Sequence, residues 1–225
     1  MVKRCDPYVT PGNLDERLEK WLAAVRESTA PRPWLVLKPA RCALLVVDML
    51  NYFAHPDGRC WLPATEAAIP RIGALLAAWR GLGAPVVFTR HCHEGEADLG
   101  MLGKFFTDHI RCGEPESEIV GALRPLPGER VLRKTTYDAF WETGLEEHLR
   151  GRGVAQVLVT GVLTQLCCET TARAAFVRGF EVYFAADATA TSCEELHVSS
   201  LLGLASGVAV VMSAEEVLSL CSSGS

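Results

Sequence analysis

Strands alternating with helices along one chain predict an α/β domain on a mostly parallel sheet, and three features carry that prediction. The first is Cys42 to Asp48, with no polar residue before its last position, the pattern of a strand covered on both faces. The second is Val157 to Arg173, where a short apolar run, Val157 to Val159, is broken by Gly161. An amphipathic segment with Ala172, Ala174 and Ala175 then follows as a helix. The third is the recurrence of strand-length apolar runs between helix-length periodic segments, which right-handed crossovers join into one sheet.

Taken in order, Leu14, Leu18, Trp21, Leu22 and Val25 at helical spacing, with Asn13 as a cap, predict an N-terminal helix over 14–27 that Pro31 and Pro33 end. Its apolar stripe must dock on its own domain or on a neighbouring subunit. After the strand at 42–48, an irregular loop with His55, Pro56, Asp57 and Gly58 leads to a helix over 64–82. Pro85 to Thr89 is a second buried strand. Between Arg90 and Gly128 the periodicity fades, broken by Gly95, Gly100, Gly103, Gly113 and Pro115. A stretch this long inside a compact domain reads as a functional loop or lid. Arg130 to Arg133 is a short strand ending at Lys134, and Thr143 to Arg150 a helix. Beyond the central strand and helix come a strand at 180–185, a helix at 194–205, a strand at 208–212 and a helix at 214–220. No repeat or linker divides the chain, and Arg124-Pro-Leu-Pro-Gly128 is too short to do so. The organisation is therefore an N-terminal helical extension, 1–39, on a single domain, 40–225.

Composition excludes several function classes. A net charge of −5 gives no reason to expect nucleic acid or an anionic membrane as partner. No apolar run reaches the roughly 18 residues a membrane span needs, and the start of the chain lacks the apolar core of a signal peptide. A cytoplasmic location is expected. The nine cysteines form no C-x-x-C pair, which suits neither a disulfide framework nor a structural zinc site. Most are expected to be inert small hydrophobes in a reducing compartment.

In an open parallel α/β sheet, ligands bind outside the carboxyl ends of the strands. Asp48 closes the first strand, Lys134 the third, and Cys167 opens the helix after the fourth, so topology puts all three at one edge. Each has an ordinary explanation alone: a turn-capping Asp, a solvated Lys, a core Cys. Together they are chemically complementary. A carboxylate can take the thiol proton, a cation and a helix N-terminus can favour the thiolate, and free amides can hold an oxyanion. Cys168, about 100° further round the helix, is expected to face the sheet; a register shift of one would exchange the two cysteines.

Leu44-Leu-Val-Val-Asp-Met-Leu-Asn-Tyr-Phe53, Lys134-Thr-Thr-Tyr-Asp-Ala-Phe140 and Thr160-Gly-Val-Leu-Thr-Gln-Leu-Cys-Cys-Glu-Thr-Thr-Ala-Arg173 resemble the three motifs of the isochorismatase-like cysteine hydrolases, which include nicotinamidases and N-carbamoylsarcosine amidases. Asp187-Ala-Thr-Ala-Thr191 fits the family's segment after the fifth strand. The resemblance spans about 40–212 and implies a three-layer αβα fold with a six-stranded parallel sheet. It further implies an Asp48–Lys134–Cys167 triad with Cys167 as nucleophile, Asp48 as general base and Lys134 as the cation that lowers the thiol pKa and orients Asp48. A cis Val162–Leu163 peptide is implied too, aiming the Leu163 and Cys167 N–H groups at an oxyanion. The reaction implied is hydrolysis of a small molecule's C–N bond through a thioester.

Asn51, Phe53, His93, Tyr137, Phe140 and Trp141 flank these motifs and are the candidates for binding substrate, although ordinary packing explains Phe53 and Phe140 as well. Nicotinamidases of the family carry an Asp-x-His pair plus a further His as metal ligands. Here His91-Cys92-His93 lacks the Asp and His109 is the only later candidate, so neither metal nor cofactor is expected. Vinyl-ether-cleaving isochorismatases lack the cysteine that is present here. Arg173 is expected to be an ion-pair partner. The family and the unassigned stripe of the first helix lead to the expectation of a homo-oligomer, dimer or tetramer. A catalytically silent binding or assembly protein would have no physical need for a charge pair beside a thiol. A thiol redox sensor would need a resolving cysteine better placed than Cys168.

Overall fold

The structure is a computed structural model that describes residues 7–222; residues 1–6, with Cys5, and 223–225 lie outside the described residues. The elements run α1 (Leu14–Ser28), β1 (Cys42–Val47), α2 (Asn51–Ala54), α3 (Thr65–Leu82), β2 (Val86–His91), α4 (Leu102–Phe105) and β3 (Arg130–Lys134). They continue with α5 (Leu145–Gly151), β4 (Gln156–Val162), α6 (Glu169–Val177), β5 (Glu181–Ala190), α7 (Glu194–Gly207), β6 (Ala209–Met212) and α8 (Ala214–Ser222). The strands form one sheet in the order β3-β2-β1-β4-β5-β6, every pairing parallel. Helix α3 packs with α8 against one face, and α1 and α6 pack with α7 on the other.

Burial explains the reading of the strands. Every residue of β1 and β4 is buried, as a run of Val, Leu and Ala between two helical layers requires. Edge strand β3 instead alternates, with Leu132 and Lys134 turned inward. The strand order reverses between β1 and β4, and at such a switch point the loops part to leave a crevice at the carboxyl ends. Asp48 and the Cys167 turn follow the two strands that flank it.

Gly161 does not end β4. The strand continues through Val162, and Gly161 (φ +108°) lets β1 approach so closely that a Cβ would sit 2.0 Å from the Val47 carbonyl oxygen. Opposite it the β4–β5 register shifts between Val159 and Gly161, so β5 runs to Ala190, well past the expected 185.

Asn13 does not cap α1: its Oδ1 accepts from the Thr10 N–H (2.7 Å) and hydroxyl (3.2 Å), closing the preceding turn. The stripe of α1 docks on its own chain, burying Leu14, Trp21, Leu22 and Val25 against α7 and the β5–β6 edge. The Trp21 indole donates to Glu194 at 2.8 Å, and Arg17 pairs with the same carboxylate. Burial at about 1.5–3 kcal/mol per large apolar side chain outweighs the exposed ion pair. The stripe is thus no argument for a subunit interface.

The segment from Cys92 to Leu123 contains only short turns, α4 and two isolated bridges, Leu50–Ile119 and His93–Arg111. It holds the one clear correction to the cysteine reading, a Cys92–Cys112 disulfide (S–S 2.09 Å). The bridge brings these two together across 20 residues, with His93 N–H donating to the Ile110 carbonyl and Cys112 N–H to the His93 carbonyl. Nothing in their spacing announces it. No described helix is long and apolar enough to cross a membrane.

Candidate active site

Asp48, Lys134 and Cys167 converge at the switch point. Lys134 Nζ lies 2.7 Å from Asp48 Oδ2 and 3.3 Å from Cys167 Sγ, and the three residues are 0%, 2% and 5% exposed. Lys134 enters from edge strand β3, two strands from β1, and its long stem passes the end of β2, where His91 is its register partner. Asp48 has φ +48°, a left-handed conformation Asp tolerates better than most residues; its own N–H donates to the Thr89 hydroxyl oxygen at 3.0 Å. That hydroxyl donates to Asp48 Oδ1 at 2.6 Å, fixing the carboxylate from the side opposite Lys134.

Cys167 sits in a π-helical turn, Thr164–Cys168, ahead of α6, rather than in the first turn of an α-helix. Leu163, after a cis Val162–Leu163 peptide as the resemblance implies, accepts at its carbonyl from Leu166 N–H (3.1 Å) and Cys168 N–H (3.2 Å). Thr164 is held from behind by buried His197 (2.9 Å). Cys168 is fully buried with its sulfur toward the Thr160 carbonyl, so the register is the expected one. Arg173 pairs with Glu169, also as expected.

The electrostatics differ from a preformed thiolate. Burial, with the Asp48 carboxylate beside it, pushes the Cys167 thiol up to about 12 despite Lys134. Burial opposes both charges of the pair, yet their mutual attraction leaves Asp48 below and Lys134 above the ordinary values. The resting site is therefore thiol, carboxylate and ammonium. Asp48, with a carboxylate oxygen within 4.8 Å of the sulfur, is placed where a base could accept the thiol proton.

Cys167 opens into a cavity of about 120 Å³. Phe53, Leu102, Phe106, Ile110, Tyr137 and Leu166 supply its apolar walls, and His91, His93, His109, Arg59 and Asp108 its polar ones. Of the expected substrate contacts, Phe53, His93 and Tyr137 face this space. The other three do not. Asn51 turns its amide to the Pro115 carbonyl (2.9 Å). Phe140 is buried against Phe180 and the Arg178 guanidinium, and Trp141 is 56% exposed away from the cavity. Nearness in sequence to the triad motifs did not mean nearness to the sulfur, because the chain turns away after Tyr137. Tyr52, Arg59, Leu102, Phe106 and Asp108 were missed; they come from the one-turn helices α2 and α4 and the loops around them, whose placement no periodicity encodes.

Asp48, His91 and Cys167 each offer a donor atom within 4.8 Å of the others, the one such group among the described residues. The Lys134 ammonium sits among them, 2.7 Å from Asp48, 3.2 Å from His91 Nδ1 and 3.3 Å from Cys167. A second cation there would face a charge already held in place. His91 and His93 turn their Nε2 atoms to each other at 3.1 Å, and the His109 ring centre lies 6.2 Å from that of His93. His109 brings no donor atom within 4.8 Å of both, so the three histidines do not close a three-ligand metal cage.

A family model of the isochorismatase domain matches residues 42–216. Nicotinamidase 3 of Arabidopsis thaliana is 40% identical over 178 residues, covering 78% of this chain and 86% of that protein. A probable isochorismatase of Pseudomonas chlororaphis is 29% identical over 217 residues, covering 94% and 96%. Among solved structures, a cysteine hydrolase from Pseudomonas syringae pv. phaseolicola superposes with a TM-score of 0.81 at 28% identity, over 87% of this chain and 97% of that one.

Proposed function

The chain belongs to the isochorismatase family of hydrolases, and from that premise we propose that it is a metal-independent cysteine amidohydrolase acting on a small, neutral amide or carbamoyl compound. The observation that carries the reading is a single ammonium in contact with both a buried carboxylate and a sulfur that opens into a cavity. In the proposed reaction Cys167 Sγ attacks the carbonyl carbon while its proton passes to Asp48. The oxyanion is received by the Leu163 and Cys167 N–H groups. The C–N bond breaks as the nitrogen takes that proton, and ammonia or an amine leaves a thioester on Cys167. Water, giving a proton to Asp48, attacks the thioester; the C–S bond breaks and the sulfur regains the proton.

Size and charge narrow the substrate. A cavity of ~150 Å³ accommodates a molecule such as benzene, so about 120 Å³ fits a single small ring or a short chain. Arg59 at the cavity wall is already matched by Asp108 (3.1 Å) and Glu116, so it offers no net charge to a substrate carboxylate. The relative named a probable isochorismatase favours a second reading, vinyl-ether hydrolysis; the thiol held between Asp48 and Lys134 favours the amide. Ammonia release by metal-stripped protein across a panel of small primary amides and carbamoyl compounds, with hydrolysis of a small vinyl ether followed in parallel by its carbonyl product, decides between them. Turnover of a neutral amide is expected; turnover of the vinyl ether alone overturns the proposal.

The proposal extends to a cytoplasmic homo-oligomer, dimer or tetramer. Six described cysteines are free, which supports a reducing compartment, and Met101, just before α4, and Phe105, at its end, are 69% and 78% exposed, which supports a further contact there. The Cys92–Cys112 bond pulls against the location, since such bonds are rare in the cytosol. Alkylating the protein at the moment of cell lysis and mapping Cys92 tests it, and sedimentation tests the assembly.

A further inference from the structure

Lys134 has more acceptors than protons. Its ammonium carries three N–H bonds, and four atoms surround it: Asp48 Oδ2 at 2.7 Å, the Thr136 carbonyl at 2.8 Å, His91 Nδ1 at 3.2 Å and Cys167 Sγ at 3.3 Å. The two oxygens are the shorter contacts and take one proton each. The third N–H is left between a ring nitrogen and the sulfur.

His91 is prepared to accept it. An ammonium can only donate, so His91 Nδ1 carries no proton toward it and the ring N–H is at Nε2; the Thr136 carbonyl, which also lies beside the His91 ring, already takes a Lys134 N–H at 2.8 Å. That N–H points at His93 Nε2, 3.1 Å away, which must then accept, leaving the His93 proton on Nδ1. His93 Nδ1 faces the Asp98 carbonyl at 3.1 Å, and a carbonyl can only accept. Both ends of the chain Lys134–His91–His93–Asp98 thus impose the same direction. Asp98 is itself anchored by Arg133 (2.9 Å) and by the Glu94 N–H. The other titratable groups facing the ammonium and the sulfur are Asp48, Tyr137 and Cys168. Burial and the neighbouring ammonium keep His91 neutral, at about 3, in accord with this direction.

We propose that His91 is a positioning residue for the nucleophile: it holds the third Lys134 N–H while Cys167 is a thiol and releases it to the sulfur as the thiolate forms. The inference rests on the cysteine-hydrolase reading above. The thiol proton moves to Asp48, one Lys134 N–H swings from His91 Nδ1 to Sγ, and both histidines keep their protons. His91 thereby keeps the sulfur protonated, and its full nucleophilicity in reserve, until a carbonyl carbon is present.

The test reads the sulfur without any substrate. Cys167 alkylation by iodoacetamide is followed by peptide mapping as a function of pH in the wild type, in His91→Leu, which removes the acceptor, and in His91→Asn, which keeps one. The N–H freed in the Leu variant turns to the sulfur full time, so its alkylation at pH 7 is expected to rise roughly tenfold, about one unit of thiol pKa. The Asn variant stays within about twofold of wild type. Equal profiles in all three proteins, or equal shifts in both variants, overturn the proposal. Should the variants not fold, ¹⁵N-histidine NMR of the wild type decides: His91 as the Nε2–H tautomer and His93 as the Nδ1–H tautomer from about pH 5.5 to about 7.5 are expected, about one unit either side of an ordinary His; the opposite tautomers overturn it. Failure of amide turnover with these tautomers intact removes the hydrolase reading and leaves the hydrogen-bond assignment standing.

Discussion

The two walls of the cavity are built on different principles. On the sheet side, Asp48 and Lys134 stand at the ends of β1 and β3 and Cys167 in the turn after β4, where the β1–β4 and β2–β3 ladders fix the register, and all three are almost fully buried. On the other side, Leu102, Phe106, Asp108 and His109 belong to a segment held by one disulfide, the isolated His93–Arg111 bridge and the Arg59–Asp108 contact. The sheet places atoms to within a hydrogen bond, which bond-making chemistry requires. The loop supplies shape, which selection among substrates requires and which single residues can alter.

If this division holds, substitutions at the strand ends should lose rate, and changes in the loop should alter affinity. The largest effect is expected from Cys167→Ala, with kcat falling by roughly 10³-fold or more while the fold persists; residual activity near wild type would erase the distinction. Lys134→Met leaves the Asp48 carboxylate buried and unpaired, and is expected to cost about 3–5 kcal/mol in urea unfolding. Adding Asp48→Asn to that variant should restore part of the loss, a coupling two independent sites would not show. On the loop side, reducing Cys92–Cys112 or replacing both with Ser is expected to raise KM roughly 3- to 10-fold with kcat changed far less. An equal loss in kcat would place the loop among the groups that act only in the transition state.

Two further outcomes lie outside the comparison of the two walls. His91 and His197 are both held near 3, by burial first, against an ordinary 6.5. Their folded values are depressed, so the unfolded chain binds more protons between 6.5 and 3. The stability they contribute is complete above 6.5 and is lost as pH falls toward 3, with a slope approaching about two protons. A urea midpoint flat across that window would contradict the neutral assignment used for the Lys134 chain. Trp141→Ala, outside both walls, is expected to leave kcat/KM within about twofold.

The same division explains what could be read from the chain before its coordinates. Cys42 to Asp48 and Val157 to Cys167 are legible because buried parallel strands are unbroken apolar runs and a switch point gathers their ends. Lys134 was legible as the end of a strand, although its neighbour His91 was not, since β2–β3 register brings them together across 43 positions. Gly161 misled for a definite reason: a glycine that admits a neighbouring backbone and one that breaks a strand look alike in one sequence. The loop wall was legible only as a long aperiodic stretch. Its disulfide and its contacts depend on how 20 residues fold back, and Phe140 and Trp141, three and four residues after Tyr137, lie outside the cavity because the chain turns away there.

The most direct test of the account is partitioning of the acyl group. With the best amide from the panel, hydroxylamine is added as a competitor to water, and hydroxamate, acid and ammonia are measured together. A thioester on Cys167 predicts hydroxamate rising at the expense of acid, with no hydroxamate from Cys167→Ala. Steady ammonia release yielding only acid at every hydroxylamine concentration would contradict it.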